Sequence, residues 1–189
     1  MNQTVKIYLD GHNEAVQTLE NLSAEIVKAG EQMVSALKNG GKVLVMGNGG
    51  SAADAQHLVA ELVGRFEVKR RGLPAIALTT DTSILTAVSN DFGYENVFAR
   101  QVEALAVKDD VVIGISTSGN SSNVLRAIVA AKERGCATIG LLGRDGGEIA
   151  DLVDLPLTIA TQKTPHIQEA HGIIVHLVCQ MVDQAFLDS

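Results

Sequence analysis

Along the first 40 residues, apolar positions recur at helical spacing: Val16, Leu19, Leu22, Ile26, Val27, Met33, Val34 and Leu37. No proline interrupts them, and Asn39-Gly40-Gly41 closes the run with a helix-ending signal. The pattern predicts two helices or one broken helix. From residue 42 the rhythm changes. Lys42–Met46 is a short continuous apolar run of the kind a buried parallel strand requires. Further strands are predicted at Pro74–Leu78, Asp110–Ser116, Ala137–Leu142 and Leu155–Ile159. Helical patterns lie between them at about Ser51–Phe66, Ser83–Ser89, Glu95–Leu105 and Ser121–Arg134, and a last one runs from about Pro165 to Leu187. Strands rich in Val and Ile that alternate with helices predict an α/β fold: a five-stranded parallel sheet, doubly wound, with right-handed crossovers and extra N-terminal helices.

The length, 189 residues, suits one domain spanning 1–189. Within it, 1–40 is expected as a helical segment packing in an oligomer, and 41–189 as the α/β core. Aromatics are only 3% and Trp is absent, so the core must be built from aliphatic side chains. A net charge of −7 and no basic stretch longer than Lys69-Arg70-Arg71 argue against a nucleic-acid partner. No apolar run reaches membrane-spanning length, and Met1–Asp10 lacks the build of a signal peptide. Cys136 and Cys179 stand far apart in apolar runs and read as two buried thiols, which fits a cytoplasmic location.

Two loops carry candidate chemistry. Gly47-Asn48-Gly49-Gly50-Ser51-Ala52 joins a strand to a helix and matches the relaxed dinucleotide pattern G-x-G-x-x-A. The acid expected about 20 residues on, at the end of the second strand, is missing, because Asp81 lies more than 30 residues from the loop. The loop therefore reads as a tight turn in which the Asn48 amide can meet a polyol. Ser116-Thr117-Ser118-Gly119-Asn120-Ser121-Ser122-Asn123 lies between a strand and a helix and holds five hydroxyls within eight residues. Hydroxyls, a flexible glycine and the free N–H groups of a helix start suit a phosphate. A lone serine would be only a helix cap; five make an anion site the better reading.

His57 and Glu61, four apart, share one helix face, with Arg65 continuing the stripe as a candidate ion-pair partner for Glu61. Taken alone, the His57–Glu61 pair reads as a surface pair. The last helix is apolar nearly all round, yet Gln168, Glu169, His171 and His176 interrupt it. His171 reads as a satisfied core histidine.

The stretches GNGGSAADAQH (47–57), SNDFGYENVF (89–98), GISTSGNSSNV (114–124), GRDGGEIA (143–150) and HIQEAHGIIVH (166–176) together resemble the sugar isomerase (SIS) domain family over nearly the whole chain. That resemblance implies a flavodoxin-like SIS domain. It also implies a metal-assisted aldose–ketose isomerase that converts sedoheptulose 7-phosphate into D-glycero-D-manno-heptose 7-phosphate, at the start of nucleotide-activated heptose synthesis. The alternative within the family is a non-catalytic, sugar-phosphate-binding regulator. The presence of Glu61 and His176 favours the enzyme. The match implies a zinc ion, one per chain, on His57, Glu61, Gln168 and His176. It assigns general base to Glu61 and general acid to His176. Substrate contacts are implied at Asn48, Gly49, Gly50, Glu61, Asn90, Asp91, Ser116, Thr117, Ser118, Ser121 and Gln168. A homotetramer is also implied. Gln168 and His176 lie eight residues apart, about 12 Å along a helix, which favours sites shared between chains. The sequence departs from the family at Pro165 and His166, which touches only rim contacts.

Overall fold

In the computed structural model, which describes residues 1–187, the strands are β1 (Val43–Gly47), β2 (Ala75–Ala77), β3 (Val111–Ser116), β4 (Ala137–Gly143) and β5 (Leu155–Ile159). The last two residues of the expected domain, 188 and 189, lie outside the described residues. The strands form one sheet in the order β2-β1-β3-β4-β5, every neighbouring pair parallel. The helices are α1 (Asn2–Asn21), α2 (Ser23–Lys38), α3 (Gly50–Val63), α4 (Thr82–Phe92), α5 (Ala99–Leu105), α6 (Ser122–Glu133), α7 (Gly147–Ala150) and α8 (Thr164–Ala185), with a 3-10 turn at Tyr94–Asn96.

Successive side chains of a strand point to opposite faces, and this divides the core in two. Val43, Val45, Ile113, Ile139, Leu141 and Leu157 pack on one face with α2, α3 and α8. Leu44, Met46, Val112 and Leu142 pack on the other with α5 and α6. Each such side chain, fully buried, contributes about 1.5–3 kcal/mol relative to exposure. The doubly wound architecture is the one predicted.

Three details differ from the sequence pattern. The third helix ends at Val63, where Gly64 breaks it, so Phe66 falls in the following loop. The expected helix over 95–105 divides into the 3-10 turn and α5. The short α7 has too few residues to show a period. The N-terminal segment also divides. α2 is core, with Ile26, Ala29, Met33 and Leu37 buried. Residues 1–10 of α1 are exposed throughout, including Val5, Ile7 and Leu9. Asn39-Gly40-Gly41 ends α2 as expected: Gly40 takes a left-handed φ of 84°, and the Gly41 N–H donates to the Ala36 carbonyl.

α1 is tied to α8 through one carboxylate. Glu169 accepts from Tyr8 Oη at one oxygen, while its other oxygen lies 2.8 Å from His12 Nδ1 and 3.0 Å from His166 Nδ1. Partial burial disfavours the charged form, but the bonds from Tyr8, His166 and His12 outweigh it and hold the Glu169 carboxyl down at about 2. Its folded value lies below its ordinary one of 4.5. Its contribution to stability is therefore complete above pH 4.5 and fades as the pH falls toward 2. Urea unfolding across this window should show a shallower acid decline for Glu169→Gln than for the native chain. Two curves of equal slope would remove Glu169 from the acid response.

Candidate functional site

The strand order fixes where the site can be. β1 and β3 are neighbours, but the chain leaves β1 into α3 on one face and leaves β3 into α6 on the other. The loops after these two strands therefore diverge, and they open a crevice at the carboxyl edge of the sheet.

The first loop, Gly47–Gly50, turns at Gly49, whose φ of 58° is left-handed. Asn48 and Asn123 exchange reciprocal amide bonds. Asn48 Nδ2 donates to Asn123 Oδ1 at 2.9 Å and Asn123 Nδ2 to Asn48 Oδ1 at 2.8 Å. Tyr94 Oη also donates to Asn48 Oδ1. The Asn48 oxygen is thus doubly engaged, and one amide N–H remains for a ligand. Asn123 is buried and Tyr94 exposed. Neither stands out in sequence, because a single Asn in a polar loop and a single exposed Tyr look like turn residues. Asn90 and Asp91 sit exposed on the last turn of α4, the Asn90 amide donating to the Asp91 carboxylate.

The second loop is drawn inward by its own hydroxyls. Ser116 Oγ lies 2.9 Å from Ser121 Oγ and 3.5 Å from Ser118 Oγ, and the Asn120 N–H donates to Ser118 Oγ. Ser121 is the N-cap of α6 but makes no side-chain cap bond to that helix. The start of α6 therefore keeps N–H groups and its partial positive charge for an anion. Thr117 is half-buried beside Gly143. Gly119 holds a φ of 67°, and a Cβ there would overlap the Gly146 carbonyl oxygen.

A second cluster lies further along α3. His57 and Glu61 are seven and eleven residues beyond Gly50, about 10 and 16 Å along the axis. His57 Nε2 lies 3.2 Å from Glu61 Oε1 and 3.4 Å from His176 Nε2 on α8. One ring nitrogen carries one proton or one lone pair and cannot bond both partners well. A tetrahedral zinc with bonds of 2.0–2.1 Å would set its ligand atoms about 3.3–3.4 Å apart, so both distances fit that spacing. The set is incomplete within one chain: among the described residues no three His, Cys, Asp or Glu side chains close into a group able to hold a metal. Phe66, which sequence reasoning missed, stacks on the His176 ring at 5.5 Å and 23°.

Gln168 is apart from this cluster. It lies at the other end of the α3–α8 contact, where its amide packs so closely on Gly50 that a Cβ there would collide with it. Glu61 pairs with His57, while Arg65 is exposed. His171 is the core histidine expected: it is buried, its Nε2 is 2.9 Å from the Leu142 carbonyl, and burial pushes its pKa down to about 4. Both cysteines are free and buried, and burial, with Glu61 and Asp183 nearby, pushes Cys179 up to about 12.

Residues 7–143 match the SIS domain. The chain belongs to the SIS domain family. Within it, the chain groups with the phosphoheptose isomerases, and it is a sugar-phosphate isomerase. It is 57% identical to phosphoheptose isomerase of Geotalea daltonii, across 97% of this chain and 96% of that one. The solved phosphoheptose isomerase of Neisseria gonorrhoeae superposes with a TM-score of 0.92 at 45% identity, covering 97% of this chain and 98% of the other. That of Francisella tularensis gives 0.93 at 40% identity, covering 96% and 97%.

Gly119 and Gly49 separate two kinds of glycine requirement. A Cβ on Gly49 meets nothing within 4 Å, so Gly49→Ala bears only the strain of its backbone conformation, φ 58° and ψ −120°, about 1–3 kcal/mol. Gly119→Ala bears the strain of its own positive φ and the overlap with Gly146. Its thermal midpoint should fall by more than about 4 °C and by more than that of Gly49→Ala. Equal midpoints for the two variants would show that the Gly146 contact does not constrain the loop.

Proposed function

We propose that the chain interconverts sedoheptulose 7-phosphate and D-glycero-D-manno-heptose 7-phosphate in the cytoplasm, at the start of nucleotide-activated heptose synthesis. The observation that carries this reading is the convergence of Glu61 and His176 on His57, a carboxylate and an imidazole side by side. An aldose–ketose shift needs that pair. Glu61 takes the proton from C1 of the ketose. The bonding electrons form the C1–C2 double bond as the C2 oxygen takes a proton from His176. The resulting enediol gives its O1 proton back to His176, and Glu61 returns its proton to C2. The phosphate rests on Ser116, Thr117, Ser118 and Ser121 and aligns the sugar without reacting. Asn48, Gly49, Gly50, Asn90 and Asp91 meet the polyol.

His57, Glu61 and His176 would supply part of the ligand set of one zinc ion per chain, which the described residues of a lone chain do not complete. When bound, the ion supplies Lewis acidity that stabilises the developing oxyanion. Gln168, two helical turns from His176, reaches such a site most readily from a neighbouring chain. A homotetramer is proposed on this ground. The exposed apolar residues of α1 and the groove that Val16, Val27, Ile173, Leu177 and Met181 line between α1, α2 and α8 also support it.

Two measurements test this reading. Purified protein should carry up to about one zinc per chain, and chelation should lower activity until zinc is restored. Full activity in metal-free protein would refute the metal assignment. Glu61→Gln should lower kcat by about 10²–10⁴-fold with the fold intact. A near-native kcat would remove Glu61 as the base.

A further inference from the structure

A buried ion pair closes the far end of the α3–α8 contact. Arg70 Nε donates to Asp183 Oδ1 at 2.7 Å, and the two side chains are 0% and 3% exposed. Both Asp183 oxygens and four of the five guanidinium N–H groups of Arg70 are bonded. Asp183 Oδ2 accepts from the backbone N–H groups of Glu67 and Val68 at 2.9 and 3.0 Å. Three further guanidinium donors bond carbonyls: Nη2 bonds Glu61 at 2.7 Å, and Nη1 bonds Leu62 and Arg71 at 2.9 and 3.0 Å. The carbonyls of Glu61 and Leu62 belong to the last turn of α3, where they lack helical partners. Burial alone would raise the Asp183 carboxyl, but the two backbone bonds and Arg70 outweigh it and hold it low.

We infer that Arg70 and Asp183 are positioning residues for the isomerase reaction. They fix the Glu61 backbone against α8 and set the loop that lays Phe66 on His176. Three facts converge on this. Arg70 bonds the carbonyl of Glu61 itself. Asp183 lies seven residues beyond His176 on α8, so the pair fixes how α3 and α8 are aligned where Glu61, His57 and His176 meet. Phe66, stacked on His176, directly precedes Glu67 and Val68, whose N–H groups Asp183 binds. The substrate loops lie at the opposite end of α3. The clamp therefore bears on chemistry and not on substrate binding. The inference rests on the assignment of Glu61 and His176 as base and acid.

The test pairs Arg70→Lys with the double variant Arg70→Met/Asp183→Leu, assayed on sedoheptulose 7-phosphate beside Glu61→Gln. Lysine keeps the charge but lacks the fork that reaches Asp183, Glu61 and Leu62 together. The double variant removes both charges together, so that neither is left buried without its partner. Thermal unfolding identifies the folded variants, and kcat and KM are read on those. The expected result is a kcat lowered by about 10–100-fold, as a displacement near 1 Å produces, with KM within about twofold of native. A folded double variant or Arg70→Lys chain with native kcat, beside an inactive Glu61→Gln, would overturn the inference and leave the pair a stability element. A native kcat in Glu61→Gln would instead overturn the assignment on which it rests. A loss shared equally between kcat and KM would also overturn it, because the clamp would then act on the substrate loops.

Discussion

The adjacency of β1 and β3 governs the rest of the molecule. Because the chain winds away from these two strands on opposite faces, no helix can cover the gap between their carboxyl ends. Backbone N–H groups there must find partners in side chains, in solvent or in a ligand. The serine-rich loop and the Asn48–Asn123 amide pair answer that requirement in two ways. The serines bond mainly to one another and leave the α6 start open, whereas the asparagines lock the two loops together and spend most of their own capacity. The crevice is thus rigid at its base and open at its rim.

The α3–α8 contact organises the second half of the site. The two helices run side by side, with Gln168 at Gly50, His176 at His57, and Asp183 at the loop beyond Val63. Polar groups placed along an otherwise apolar seam divide it into an end beside the glycine loop, a middle where the histidines meet, and a clamped end. The middle is the least satisfied of the three: His57 has two polar neighbours at one nitrogen, while the ion pair beyond it bonds at both carboxylate oxygens and at all three guanidinium nitrogens.

Much of this was legible in the sequence, for a physical reason. Strands buried on both faces must be continuously apolar, which made β1, β3 and β4 readable, while β2 and β5, only partly buried, were short runs that fall where expected. Local spacing also served well: His57 and Glu61 do share a face, and the hydroxyl loop does sit at a helix start. What escaped was pairing across long separations. Asn48 and Asn123 are 75 residues apart, and Arg70 and Asp183 are 113 apart. No periodicity encodes such partners. Asp183 carries one signal, an acid on the buried stripe of an apolar helix, but nothing in the basic stretch 69–71 marks Arg70 as buried. The separation of Gln168 from His176 was readable from helical rise alone, because it depends on a single element.

The contact between Gly119 and the Gly146–Gly147 turn has a consequence for the order in which the protein matures. The serine-rich loop precedes that turn by almost 30 residues, yet its backbone shape depends on the turn being present: the Ile149 N–H donates to the Gly119 carbonyl, and the Glu148 N–H to Asn120 Oδ1. On a ribosome, residues 116–121 emerge well before the segment that shapes them, and α8, which carries His176, follows later still. A growing chain can build its hydrophobic layers early, but the serine-rich loop is not finished until β4 and the turn after it have been made. The shape of this loop is therefore settled late in the life of the chain, by residues made well after its own.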